Sequence, residues 1–320
     1  DRAMIIIVKK SSALLCSCAA CILLLFCLAP KASFTSSSVE VPKAPITPPL
    51  YENGFIVLMY HDLNYDTRVE GTIAPDLFES QMAYLKKNDF YVLNLEEMQS
   101  FLWHNKPIPP QSVMITFDDG YENLYRYAFP ILQSYNFPAI VFSIVGTADE
   151  KYGPHLKWDQ MRKMTDSGLI SFQSHTYACH NYAPVDPKGT WLPTLISRLY
   201  SAPKGHSETE TEYKYRIKED LKKAKDRLEQ KLETCVNALA FPYGHFNEVA
   251  IEIASSLGYK NFFTVKSGIN RYTPKQDEPI LIKRISAGEA YMTVYNLKRY
   301  ISLAALEDER AGALFAATLK

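Results

Sequence analysis

From Phe55 onward, short runs dense in β-branched and aromatic residues alternate with longer stretches whose apolar residues recur every three or four positions. The runs at 55–60, 91–93, 113–117, 139–145, 169–174, 238–241, 261–265 and 281–285 predict strands. The stretches between them predict helices over 75–88, 95–104, 121–135, 158–167, 212–234, 247–257 and 291–303. The longest is also the clearest. Ile217, Leu221, Ala224, Leu228 and Leu232 form one apolar stripe in a highly charged background, which reads as a helix with a solvated outer face. Pro75 suits the first turn of its helix, and Asn247 suits an N-cap before Glu248. Repeated strand–helix alternation implies parallel strands joined by crossover helices. Seven or eight such units predict an α/β fold, a closed or nearly closed (β/α) barrel, with an open doubly wound sheet as the alternative.

The amino end breaks this rhythm. Lys9 and Lys10 precede an apolar stretch from Ala13 to Ala29, followed by a Ser- and Pro-rich stretch to about Leu50. This is the layout of an export signal, either cleaved or kept as a membrane anchor. The expected organisation is a signal or anchor at 1–33, a linker at 34–53, a folded domain at 54–303 whose motif core spans about 112–290, and a tail at 304–320. The expected location is outside the membrane, anchored or secreted. Four of the six cysteines fall in the apolar run and read as small apolar residues there; a bridge between Cys179 and Cys235 is a further possibility.

Charge narrows the partners. The 35 basic and 35 acidic side chains balance, and no local basic patch stands out, so a nucleic-acid partner is not expected. A neutral polymer or a small molecule is the better fit.

The candidate chemistry lies at predicted strand ends. Val113–Phe117 stops abruptly at Asp118-Asp119-Gly120, where one carboxylate can bind a cation while its neighbour reaches an adjacent water; a turn followed by a helix cap reads the same residues without chemistry. After Leu169–Ser174 come His175 and His180. Five residues apart, they converge only if the chain turns between them, which a strand-end loop allows. Two imidazoles and a carboxylate make an open divalent-metal site.

Thr116-Phe117-Asp118-Asp119-Gly120-Tyr121, Ser174-His175-Thr176 with His180, and Phe241-Pro242-Tyr243-Gly244 resemble the first three motifs of the polysaccharide deacetylases, the NodB-homology group or carbohydrate esterase family 4. The resemblance runs from about Phe55 to Tyr300. The histidine spacing of five and the early Leu58-Met59-Tyr60-His61-Asp62 are similar to the poly-N-acetylglucosamine deacetylase branch.

The resemblance implies a distorted (β/α) barrel of seven or eight strands, of the NodB-homology type, and removal of N-acetyl groups from a glycan. It makes Asp119, His175 and His180 the metal ligands, Asp118 the general base, and the Tyr243 N–H after Pro242 the oxyanion donor. The implied metal is zinc, with cobalt, nickel, manganese or iron as other occupants. The chain also departs from the usual family pattern. Phe241 stands where an arginine is usual, and no histidine follows His245. In the resembling branch the early Tyr-His replaces the late histidine, which makes His61 the general acid, with His245 as its rival.

Trp158, Tyr177, Tyr182 and Tyr243 are candidate sugar-stacking residues, although Trp158 equally reads as a helix start. Arg284 is a candidate partner for Asp118. His104, His155 and His206 read as ordinary loop or helix-end residues. The expected partner is an N-acetylated polysaccharide such as poly-β-1,6-N-acetylglucosamine, peptidoglycan or chitin. The membrane joins it if the anchor is retained. An O-acetyl esterase on a xylan-like glycan and a non-catalytic glycan-binding module are the competing functions.

Overall fold

The computed structural model describes residues 49–151, 153–274 and 279–318, with 311–318 as backbone alone. The described residues fall in one compact unit. Its centre is a parallel sheet whose hydrogen-bonded order runs Ile280–Ile282, Asn261–Phe263, Ala238–Ala240, Ile170–Ser174, Ala139–Ser143, Ser112–Phe117, Phe55–Tyr60, Ile285–Ser286. Tyr91–Val92 adds a ninth strand beside the start of Ser112–Phe117.

Most strand positions are buried, polar ones such as Thr116 and Gln173 included, because both sheet faces are covered. Along the first strand, Ile56, Leu58 and Tyr60 join the core beneath the outer helices. Phe55 and Val57 join a second core with Met114, Phe142 and Phe263. Phe142 and Phe263 lie on strands that are not neighbours in the sheet, yet their ring centroids are 4.7 Å apart. Such a contact requires the sheet to curl. Met98, Phe101 and Leu102 of the helix Leu95–His104 pack into the same inner core.

The curl stays partly open. Ile280–Ile282 and Ile285–Ser286 sit at opposite ends of the strand order, so Lys283 and Arg284 cross the gap between the two edges. The sequence reads 281–285 as one strand; the chain divides it because this crossing aims Arg284 inward. Asn270 bridges the same gap, exchanging backbone hydrogen bonds with Phe55 at 3.0 and 2.9 Å. Its side chain pairs with the Lys283 backbone at 2.8 and 2.9 Å. The architecture is thus the expected NodB-type distorted barrel, seen here as a curled half-barrel flanked by helices.

Several elements carry out the sequence signals directly. Ile217, Leu221, Ala224, Leu228 and Leu232 are all buried on the helix Glu210–Leu232. The Asn247 side chain accepts from the Ala250 N–H at 2.8 Å, capping Glu248–Ser256. Other elements differ from the expected ones. The helix expected over 121–135 opens as a π-turn, Leu124–Ala128, before Phe129–Tyr135. Pro130 follows directly, and its missing N–H disfavours a regular α ladder at this point.

The strand expected over 139–145 ends at Ser143, and a short helix, Val145–Glu150, begins two residues on. No side chain caps that helix, so its start had no local signal. The segment between the His pair and the long helix folds into two small hairpins, Tyr182–Pro184 with Trp191–Pro193 and Tyr200–Ser201 with His206–Ser207. Cys179 and Cys235 are both free thiols, one buried and one exposed, so the possible bridge does not form.

The last helix runs from Val294 to Thr318. Among the described residues no helix is long and apolar enough to cross a membrane. The apolar run at 13–29, with most of the linker, lies outside the described residues.

A candidate metal centre at the carboxyl rim

Parallel strands bring their carboxyl ends to one rim, and most of the chemistry read from the sequence collects there. Strand Ser112–Phe117 delivers Asp118 and Asp119, strand Ile170–Ser174 delivers His175, and strand Ala238–Ala240 leads into Phe241 and Pro242–Gly244. Strand Phe55–Tyr60 delivers His61. The turn after each strand is tight. Asp119 has φ 68° and Gly120 φ 77°, a left-handed pair that reverses the chain at once. A Cβ on Gly120 would stand 2.8 Å from the Ser143 hydroxyl.

Asp119 Oδ1 lies 3.4 Å from His175 Nε2 and 3.1 Å from His180 Nε2. The loop Thr176–Cys179 supplies the turn that a spacing of five requires, with Thr176 at φ 71°. His175 Nδ1 donates to the Ala240 carbonyl at 2.8 Å, which leaves the Nε2 lone pair facing Asp119. Burial pushes the His175 imidazole down to about 4, so it is neutral near pH 7. Burial works to raise the Asp119 carboxyl, but the imidazoles of His180 and His175 outweigh it and hold it well below the ordinary range.

Asp119 Oδ1 is buried and receives no other hydrogen bond. An orphaned carboxylate oxygen facing imidazole nitrogens is what a divalent cation would complete, and among the described residues this is the group whose donor atoms converge, all within 4.8 Å. The residues present fit a metal.

Asp118 has a different environment. The buried Arg284 grips it bidentately, Nη1 to Oδ1 at 2.7 Å and Nη2 to Oδ2 at 2.8 Å, while Nε donates to the Thr264 carbonyl at 2.8 Å. Burial alone would raise this carboxyl; the Arg284 guanidinium, helped by His175, outweighs it and keeps it below the ordinary range. The guanidinium carbon also lies 5.8 Å from the Phe142 ring centroid and 6.0 Å from that of Phe263, across the curl.

A cleft of about 670 Å³ opens over this centre, lined by His61, Asp118, Asp119, His175, His180 and Tyr243 among others. Tyr243 has φ 56°; its ring centroid lies 4.5 Å from that of His180, and its hydroxyl donates to the His180 carbonyl at 3.3 Å. Tyr182 follows, 5.0 Å from Tyr243. Pro242 is buried beneath this turn.

Trp158 and Tyr177 do not line the cleft. Trp158 Nε1 and the Tyr177 hydroxyl both donate to Asp149, at 3.1 and 3.3 Å, and Asp149 is itself paired with Arg227. Their aromatic character serves this bracket, a packing role the sequence does not separate from sugar stacking. His245 is exposed, does not line the cleft, and lies 3.5 Å from the Tyr182 hydroxyl.

Sequence reasoning missed the wall beside His61. Asp62 accepts from Asn123 Nδ2 at 3.1 Å, and Glu289 Oε2 accepts from the Gly71 N–H at 3.1 Å. Gly71 has φ 78°, and a Cβ there would stand 3.5 Å from the His61 ring. Asp62 had a signal in its place next to His61 at a strand end. Glu289 had none.

A family model for polysaccharide deacetylase matches residues 105–262. The chain is 32% identical over 236 residues to a poly-β-1,6-N-acetyl-D-glucosamine N-deacetylase of Escherichia coli (strain K12), covering 69% of this chain and 35% of that protein. It thus spans about a third of that relative's length. With the enzyme of the same name from Staphylococcus aureus (strain MSSA476) it shares 28% identity over 225 residues, 69% of each chain. The solved structure of a de-N-acetylase from Aggregatibacter actinomycetemcomitans superposes with a TM-score of 0.69 at 26% identity, over 77% of this chain and 99% of that one.

Proposed function

Since this chain belongs to the polysaccharide deacetylase family, in its NodB-homology form, we propose that it removes N-acetyl groups from a poly-β-1,6-N-acetylglucosamine-like polymer outside the membrane. The observation that carries the reading is the pairing at one rim of a complete Asp119–His175–His180 triad with an ionised Asp118 beside it. The names of the E. coli and S. aureus relatives support the choice of polymer.

Asp119, His175 and His180 would hold the cation, zinc before cobalt, nickel, manganese or iron. A divalent ion there supplies Lewis acidity toward an acyl oxygen and water. The rest of the reaction falls to side chains and backbone. Asp118 takes the proton from water as it adds to the acetyl carbon, and Arg284 fixes the direction its oxygens face. The Tyr243 N–H is assigned to the developing oxyanion. His61, in its protonated form, gives a proton to the amine nitrogen as the C–N bond breaks, releasing acetate. Tyr243 and Tyr182 offer aromatic faces at the cleft edge for the sugar. The product is a polymer bearing free amines, cationic near neutral pH. The apolar run at 13–29 supports export, as an anchor or a cleaved signal.

The test is amine release from a soluble β-1,6-linked N-acetylglucosamine oligomer by the full chain, metal-stripped and then re-supplied with zinc or cobalt. Release should depend on the metal and fall by about 10²- to 10⁴-fold in Asp118→Asn. Tight metal binding without release would remove this polymer and this chemistry together, and His61 would be the first assignment abandoned.

A further inference from the structure

The loop between the two histidines is held from outside the cleft by a residue that no motif marks. Asp220, half-buried on the long helix Glu210–Leu232, points both carboxylate oxygens at this loop. Oδ1 accepts from the Tyr177 N–H at 2.9 Å and Oδ2 from the Ala178 N–H at 2.7 Å. The carbonyls of the same turn are also engaged: the Val145 N–H donates to the Thr176 oxygen at 3.1 Å and the Gly146 N–H to the Tyr177 oxygen at 2.9 Å. A Cβ on Gly146 would stand 2.6 Å from that Tyr177 oxygen, so the approach admits only glycine. Lys223 Nζ sits 3.7 Å over the Tyr177 ring, one turn of helix from Asp220.

From this geometry we infer that Asp220 is a positioning residue for the metal centre, fixing where His180 stands relative to His175 and Asp119. Thr176 adopts φ 71°, a strained conformation for a β-branched residue, and such a turn persists only where its surroundings over-determine it. Two hydrogen bonds donated by successive N–H groups to one carboxyl group supply that constraint. The loop is the four residues between ligands that must converge, so slack in it becomes displacement of His180 Nε2. Asp220 neither lines the cleft nor belongs to the converging donor group. It acts through the backbone, as groups behind a metal ligand do.

The inference rests on the metal-site reading above, and its test separates the two. Zinc affinity is measured by chelator competition, and the visible absorption of the cobalt-loaded protein reports ligand geometry. Both are applied to the full chain, Asp220→Asn, Asp220→Ala, His180→Ala and Asp226→Asn. His180→Ala should abolish tight binding; if it binds zinc as wild type does, the metal-site reading fails and takes the inference with it.

Asp220→Asn, which keeps one acceptor, should weaken zinc binding about tenfold, and Asp220→Ala, which keeps none, by more. Both should alter the cobalt spectrum, while Asp226→Asn on the same helix leaves it unchanged. Alanine is the strongest helix former, so Asp220→Ala carries the test if the asparagine variant does not fold. Folded Asp220 variants with wild-type zinc affinity and cobalt spectrum, beside a defective His180→Ala, would overturn the inference alone.

Discussion

On the outer face of the helix Glu210–Leu232, Lys214 pairs with Glu210 and Lys222 with Asp226, each four residues apart and about half exposed. At the carboxyl rim, Arg284 pairs with Asp118 with side-chain exposures of 0% and 4%. A cationic side chain meets a carboxylate in both regions, yet their environments reverse the consequences. In water the helix pairs gain little, because solvent screens them and long side chains lose freedom on pairing. Inside the curl, desolvation of both ions opposes a strong attraction, and the pair is valuable for holding a charged carboxylate in one orientation. The base proposed for Asp118 must be ionised and aimed. Only the buried pair meets both conditions.

The sharpest way to break this contrast is Arg284→Met. It leaves Asp118 buried and charged without its partner, and should destabilise the fold by about 3–5 kcal/mol, read from urea melts at pH 7. Adding Asp118→Leu, which removes the stranded charge, should recover much of that loss. A single variant with wild-type stability would mean that Asp118 is hydrated well enough to lose its partner at no cost, contrary to its burial.

A second, smaller effect lies in the pH dependence of the metal-stripped protein. The His175 imidazole is pushed down to about 4 when folded, against about 6.5 in an unfolded chain. Between those values the unfolded state binds more protons, so stability should rise with pH through that window and level off above it. His175→Gln should flatten the rise. The Asp118 carboxyl, held low by Arg284, adds a separate loss only as pH falls below the ordinary carboxylate range. Zinc should steepen the rise, because it requires the neutral imidazole. Melts that are flat from pH 4.5 to 7 in the wild-type apoprotein would show that His175 is solvated.

The two regions also differ in how far the sequence reveals them. The long helix is legible because its apolar stripe is local: every partner in the pattern lies within four residues. Asp118, Asp119, His175 and His180 are legible because each follows an apolar strand, and parallel folds gather strand ends. Arg284 was legible only as a candidate, since 166 residues separate it from Asp118 and only the curl brings them together. Asp220, Asp149 and Glu289 were not legible at all. Each acts on backbone or side chains far away in sequence, and an acidic residue on a charged helix has the same local pattern whether it faces water or a loop. Trp158 and Tyr177 erred in the other direction, because aromatic rings near a motif pack inward as readily as they face a sugar.

The smallest expected effect tests the other half of the comparison. Lys222→Ala removes a pair that is formed in the structure and open to water on both sides. Alanine loses no helix propensity, and Asp226 returns to full hydration at no cost in burial. The thermal midpoint should therefore stay within the error of the melt, at low and at physiological salt alike. A clear fall that disappears in high salt would show that the charges of this face act as a network and not as isolated pairs. The outer face of the helix would then contribute to stability in a way that the exposure of its individual pairs does not reveal.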